Sequence, residues 1–300
     1  MSDAIKHECG IALLRLLKPL SYYQEKYGTP FYGIHKMYLL LEKQHNRGQD
    51  GAGIATVKLQ MQPGERYIAR VRSNDAQPIQ DSFKQINQHI NDLLEKNPTL
   101  KGDIDQLKRL VPYLGEVYLG HVRYGTFGKN SIENVHPFLR ENNWNYRNLI
   151  LAGNFNLTNV NELFNKLVEL GQHPIAKTDT ITVMERIGHF LDTEVEECYQ
   201  KLKAEGISKK EASVLIAQQL DMIRVLQRAA TRWDGGYAMA GIVGHGDAFV
   251  IRDPAGIRPA YYYKDEEIVV VASERAVIQT AFNVPFERVE ELSPGVAILI

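Results

Sequence analysis

Cysteine is nearly absent from this 300-residue chain: only Cys9 and Cys198 occur. Two cysteines make neither a disulfide framework nor a four-ligand zinc or iron–sulfur site, and the expected compartment is the reducing cytoplasm. An excess of one charge is lacking too. The net charge of −1 offers no electrostatic attraction for nucleic acid or an anionic membrane, and neither is expected as a partner. No run approaches the ~18 apolar residues of a membrane span, and the N-terminus lacks the basic-then-apolar layout of a secretory signal. There is no phosphate-binding G-x-x-x-x-G-K-[ST], no H-E-x-x-H and no G-x-S-x-G, and the nine histidines show no ligand spacing. No metal and no cofactor are therefore expected in this chain.

What is present is an ordinary globular composition, 44% hydrophobic and 24% charged, at a length suited to one large domain or two small ones. "GIALLRLL" at 10–17 reads as a strand bounded by Gly10 and Lys18-Pro19. Residues 32–45 read as a helix, and 53–59 as a strand after "RGQDGAG". Phe83, Ile86, Ile90, Leu93 and Leu94 form one helical stripe, and Ile104, Leu107, Leu110 and Val111 another, which predicts a helical hairpin near 75–114. "EVYLGHVRYGTFG" and "NLILAGNFNLTN" read as strands running into turns. Helices are expected at 159–170, 179–191, 194–204 and 209–230. The alternation from 235 to 274 predicts one antiparallel meander, and "PGVAILI" a last strand, so that the natural protein is expected to continue past Ile300. Strands at both ends around a helical middle predict an α+β fold with sheets packed between helices.

Cys9 is the best nucleophile among these residues. A cysteine at the foot of an apolar strand is ordinarily a buried small hydrophobe. It would gain a base of its own if it became the first residue, because an α-amino group has a pKa of about 8 and lies within reach of the thiol. Gly10 beside it would let a substrate approach closely. Arg123 in "GHVRYGTFG" can grip a carboxylate with two N–H groups, or form a surface ion pair. Asn154 in "GNFNLTN" can supply an oxyanion-binding amide with a neighbouring backbone N–H, or merely hold its turn. Asp179 in "KTDTITV" can cap a helix or meet an ammonium. Together these groups suit an amidase acting on a free amino-acid amide.

In order along the chain, "CGIALL", "QHNRGQDGAGIA", "GHVRYGTFG", "GNFNLTN", "TDT", "RDPAGIRPAYY" and "VVASERA" resemble the motifs of the class-II glutamine amidotransferases. This is a branch of the N-terminal nucleophile hydrolases, and the resemblance is to the glutaminase domain of the amidophosphoribosyltransferases, across residues 9–300. It implies a four-layer αββα sandwich with helical insertions, residues 1–8 as a propeptide removed by self-cleavage, and hydrolysis of glutamine for phosphoribosylamine formation in de novo purine synthesis. By position, Cys9 is implied as nucleophile. Asn154 and the N–H of Phe155 are implied as the oxyanion site. Arg123 would bind the α-carboxylate with Tyr124 and Thr126 beside it, Asp179 the α-ammonium, and Arg47 would support the nucleophile. The family's phosphoribosyltransferase half, with its magnesium and phosphoribosyl pyrophosphate, lies outside this sequence, and full-length members imply a homo-oligomer.

Four departures stand out. Phe155 replaces a glycine, which predicts a crowded oxyanion site and a strained left-handed backbone. Asn46 interrupts a His-Arg pair. The helical regions near 75–114 and 192–230 are additional. Asp192 in "LDTEVEE" imitates the ammonium motif, but Asp179 lies 25 residues after Asn154, at the family's spacing. Two other readings are a non-catalytic domain with a regulatory or assembly role, and a cysteine peptidase using His45 or His121 as base.

Overall fold

The first strand, β1 (Gly10–Leu16), is buried on both faces. Ile11 and Leu13 face one apolar cluster, while Ala12, Leu14 and Leu16 face another. A strand covered on both sides must be apolar at successive positions, which is why it reads as a run rather than an alternation. The computed structural model describes residues 8–125 and 131–300.

After β1 come α1 (Leu20–Tyr27), α2 (Tyr32–Lys43), β2 (Gly51–Val57), β3 (Ile68–Ser73), α3 (Pro78–Lys96), α4 (Ile104–Leu110) and β4 (Val117–Arg123). The short β5 (Phe138–Arg140) and long β6 (Leu149–Leu157) precede α5 (Val160–Glu169), α6 (Asp179–Ala204), α7 (Lys209–Gln219) and α8 (Met222–Ala230). The last part holds β7 (Gly235–Val243), β8 (Ala248–Arg252), β9 (Tyr261–Lys264), β10 (Ile268–Ala272), α9 (Arg275–Phe282), β11 (Glu290–Glu291) and β12 (Ala297–Leu299). No described helix is long and apolar enough to cross a membrane.

Two antiparallel sheets form, ordered β11-β9-β10-β1-β4-β2-β3 and β12-β8-β7-β6-β5. Between them lie Ile11, Leu13, Leu119, Ile150, Ala152, Ala240 and Val250. Outside the first sheet, its residues pack with α1 to α4 and α9; outside the second, with α5 to α8. The result is four layers, helices–sheet–sheet–helices. Each fully buried Leu, Ile or Val contributes roughly 1.5–3 kcal/mol by leaving water.

Several local expectations change. The segment 235–274 is not one meander: β7 and β8 belong to the second sheet, β9 and β10 to the first. Between them Asp253 accepts hydrogen bonds from the N–H groups of Tyr237, Ile257 and Arg258, and this turn sends the chain across to the other sheet. Helices 179–191 and 194–204 are one continuous α6. Residues 209–230 form two helices instead, because Leu220 is extended and Asp221 caps α8 through the Arg224 N–H at 3.0 Å. In the 78–110 region, Ile79, Phe83, Ile86 and Ile90 are buried, but Leu110 ends its helix and is exposed. Sequence patterning gave no sign of α1, β3 or β5.

Candidate active site

Register brings the nucleophile candidate to the end of β4. Gly10 pairs with Val122, so Cys9 falls beside Arg123 and Tyr124. The Tyr124 N–H donates to Cys9 Sγ at 3.5 Å, and the thiol faces the Tyr124 carbonyl at 3.8 Å. Burial pushes the thiol pKa up, against the Tyr124 backbone and the charges of Arg123 and Arg47. The resting group is therefore a neutral thiol that needs a base. Among the described residues no histidine meets Sγ: His45 Nδ1 is turned to the Glu42 carbonyl and His121 Nε2 to the Gly153 carbonyl. Gly10 does not serve substrate access as expected. A Cβ there would lie 2.8 Å from Val122 Cγ2 and 2.9 Å from Gln44 Oε1, so the missing side chain allows packing within the protein.

A cavity of about 500 Å³ opens here, in the range that holds small molecules. Cys9, Arg123, Tyr124, Phe155 and Asp179 are all on its wall. The sequence motifs, far apart in the chain, thus meet at one end of the two sheets. Arg123, the last residue of β4, is buried. The "RGQD" segment holds the turn after it: Asp50 N–H donates to the Arg123 carbonyl at 3.0 Å, and the Gly125 N–H to Asp50 Oδ2 at 2.7 Å. Thr126 lies outside the described residues. A depression of similar size near Arg66 and Glu141 has no cysteine, serine or threonine among its described lining residues.

Thr178, not Asp179, fills the helix-cap position, its Oγ1 accepting from the Ile181 N–H at 3.3 Å. This leaves Asp179 in the first turn, on the cavity wall, with Oδ1 accepting the Thr180 N–H at 2.9 Å. Burial raises its pKa above the usual aspartate value. A carboxylate whose folded pKa exceeds its unfolded one costs stability once it is ionised, and stability falls as pH rises through that window. We expect Asp179→Asn to raise the melting temperature at pH 7, and the gain to shrink as pH falls toward the ordinary aspartate value; calorimetry at several pH values reads this. Asp192 is engaged elsewhere, by Arg140 at 2.6 Å and Arg147 at 3.4 Å.

Asn154 and Phe155 lie inside β6, not in a turn after it. Neighbouring residues in a strand face opposite sides. Asn154 shares the inter-sheet face with Ile150 and Ala152, and the Phe155 ring shares the helix face with Leu149 and Leu151. The expected left-handed strain at Phe155 is absent, since among the described residues only Gln60, Arg232 and Asn283 combine a side chain with positive φ. Extended backbone suits phenylalanine. Its partner Tyr237 spends both backbone groups on Asp253. The Phe155 N–H therefore points away from β7, to the side where the Gly153 N–H and carbonyl meet His136 and His121. The ring folds back over Gly153, where an added Cβ would sit 2.5 Å from Phe155 Cζ and 2.8 Å from Met239 Cβ. Gly153→Ala should push the ring toward the cavity and cost about 1–3 kcal/mol, read as a lower melting temperature.

Two buried histidines behind this strand were not legible as a pair. His136 accepts the Gly153 N–H on Nδ1 at 3.2 Å, so its proton sits on Nε2, which donates to Thr180 Oγ1 at 3.1 Å. Its ring lies 4.2 Å from that of His121. Burial keeps both neutral, with the His121 pKa lowered to about 3 and that of His136 also depressed. They tie β6 to the start of α6. No motif marks His136, and the one that contains His121, "GHVRYGTFG", does not mark this pairing, because it depends on three segments meeting.

Asn154 and Arg47 stand off the cavity wall, both beside Glu8. Arg47 donates from Nε to the Cys9 carbonyl at 3.2 Å and from Nη2 to Glu8 Oε2 at 3.0 Å, and pairs with Glu274 at 3.3 Å. Asn154 Nδ2 donates to Glu8 Oε2 at 3.3 Å. Among the described residues no cluster of three or more His, Cys, Asp or Glu could hold a metal.

Residues 81–215 match the family of class-II glutamine amidotransferases. The chain is 28% identical over 259 residues to the amidophosphoribosyltransferase of Methanothermobacter thermautotrophicus, covering 86% of this chain and 41% of that protein. Its identity to the Escherichia coli amidophosphoribosyltransferase is 30% over 271 residues, covering 88% and 43%. The chain thus spans less than half the length of these curated relatives. Glutamine phosphoribosylpyrophosphate amidotransferase from B. subtilis has a similar fold, with a TM-score of 0.56 at 21% identity over 97% of this chain and 47% of that one.

Proposed function

We propose that this class-II glutamine amidotransferase domain hydrolyses glutamine to glutamate and ammonia, with Cys9 as the nucleophile once residues 1–8 have been removed. The observation that carries the reading is the thiol, Arg123 and Asp179 on one cavity wall, matching the amide, carboxylate and ammonium of one amino acid.

Arg123 binds the α-carboxylate in a two-pronged hydrogen bond and Asp179 the α-ammonium, with Tyr124 beside them. The freed Cys9 amine takes the thiol proton as Sγ adds to the side-chain amide carbon. This suits a thiol whose pKa is raised rather than a preformed thiolate. Asn154 Nδ2 and the Phe155 N–H donate to the oxyanion. The amine passes its proton to departing ammonia, and water hydrolyses the thioester. Arg47 holds the Cys9 carbonyl throughout.

Intact-mass spectrometry of the purified chain, with assay of glutamate release and labelling by the glutamine analogue diazo-oxonorleucine, tests this. Loss of residues 1–8 and label on Cys9 are expected. Retention of Met1 to Glu8 with no label would instead support a non-catalytic domain with a regulatory or assembly role. In the uncleaved chain Glu8 Oε2 accepts from Asn154 Nδ2, so a retained leader would keep a carboxylate against that amide. Within a longer amidophosphoribosyltransferase, the ammonia would serve phosphoribosylamine formation in purine synthesis. Magnesium and phosphoribosyl pyrophosphate would be held by that further part, in a cytoplasmic homo-oligomer. Binding of glutamine should also weaken on the acid side of neutrality, as Asp179 takes up a proton above the usual aspartate pKa. The expected sign is a KM that rises as pH falls, at higher pH than an ordinary aspartate would produce.

A further inference from the structure

The Glu8 carboxylate is gripped from three separate parts of the chain. Arg47, in the turn before β2, and Asn154, in β6, both reach Oε2, at 3.0 and 3.3 Å. Arg258, in the connection between β8 and β9, bonds Oε1. Each of these is itself held. The Arg258 N–H donates to Asp253 Oδ2 at 3.0 Å, and its carbonyl accepts from Arg252 Nε at 2.6 Å. Asn154 is buried, and Arg47 also bonds the Cys9 carbonyl. A carboxylate meeting two guanidinium groups and an amide in partly buried surroundings is held by charge-assisted hydrogen bonds, the strong kind. Arg258 has Glu8 as its ion-pair partner, and its Nε is buried without a hydrogen bond among the described residues.

Building on the proposed self-cleavage, we infer that Glu8 is the positioning residue for its own release and, until released, a plug on the oxyanion amide. The three-point grip fixes the residue that carries the scissile carbonyl next to Cys9 Sγ. In the cleavage, Sγ adds to the Glu8 carbonyl carbon. The carbon–nitrogen bond to Cys9 breaks as that nitrogen takes the thiol proton. Water then hydrolyses the thioester, leaving a carboxylate on Glu8, a free amine on Cys9 and the hydrogen back on sulfur. While Glu8 stays, its carboxylate takes one Asn154 Nδ2–H and sets a negative charge where an oxyanion would form. One cut therefore supplies the base and uncovers the oxyanion amide together, and it leaves Arg47 and Arg258 facing the vacated space.

The test follows loss of residues 1–8 by intact mass over time in the full 300-residue chain and in its Glu8→Gln, Glu8→Ala and Glu8→Asp variants. Glu8→Gln keeps the size of the side chain and removes its charge. We expect Gln and Ala to slow cleavage at least about tenfold, with Asp partly restoring it. In parallel, a chain that begins Met-Cys9, and loses the Met during expression, is expected to release glutamate at the rate of the cleaved wild type. That result is peculiar to a residue acting only before the cut. Cleavage of Glu8→Gln and Glu8→Ala at the wild-type rate overturns the inference and leaves the glutaminase reading intact. Retention of residues 1–8 by the wild type overturns the self-cleavage reading itself.

Discussion

Cys9→Ala should release no measurable glutamate from glutamine, a loss of at least about 10³-fold, and should take up no diazo-oxonorleucine. It should also retain residues 1–8, because the same thiol performs both acylations. The effect is large because nothing near the cavity can replace the sulfur. The other cysteine, Cys198, is buried in the middle of α6 among Val195, Leu202 and Ile216, and is not on the cavity wall. Cys198→Ala is therefore the control, with normal activity and labelling and a modest loss of stability from one buried sulfur. Mass spectrometry of labelled peptides checks both variants. Label on Cys198, or glutamate release by Cys9→Ala, would remove Cys9 from the mechanism.

The second large effect is at Asn154. After cleavage, its amide is expected to meet charge that develops only as the oxyanion forms. Asn154→Ala should then lower kcat by about 10²–10³-fold while leaving KM nearly unchanged. Asn154→Asp should be worse, because it places a negative charge against the oxyanion. Steady-state kinetics on the cleaved chains separate these effects, and a change in KM alone would assign Asn154 to substrate binding instead. Phe155→Gly provides the contrast. The ring occupies the helix face of β6 and the N–H remains in either residue, so kcat should change by less than about tenfold. The Phe155 ring lines the cavity beside Cys9, Arg123 and Asp179, but it does not stand between the cavity and the Asn154 amide. The strand's alternation sends the ring to the opposite face from the Asn154 amide.

The same distinction separates what was legible in the residues from what was not. Local pattern carried far: β1, α2, β2 and α5 follow from apolar spacing and from glycine or proline boundaries, because those signals act within a few residues. The motifs also carried the candidates, since a thiol, an arginine, an amide and an aspartate are legible as letters. The exchange of β9 and β10 into the first sheet was not legible. It depends on pairings such as Ala12 with Ala272, and on Ser273 Oγ accepting the Ile11 N–H at 2.9 Å across 262 residues. Strand-forming letters are the same in either sheet.

The sequence by itself determined the α+β class, a likeness to the class-II glutamine amidotransferases, and Cys9, Arg123, Asn154 and Asp179 as the candidates that likeness implies. Only the tertiary structure decided which face each residue of β6 presents, that Thr178 rather than Asp179 caps α6, and that His136 braces the strand. It also decided that Glu8, the residue before Cys9, sits in the grip of Arg47, Asn154 and Arg258. The physical reason is range. Propensity and periodicity act over one or two turns of chain, whereas a site at the end of two sheets is made by backbone hydrogen bonds that join segments more than a hundred residues apart.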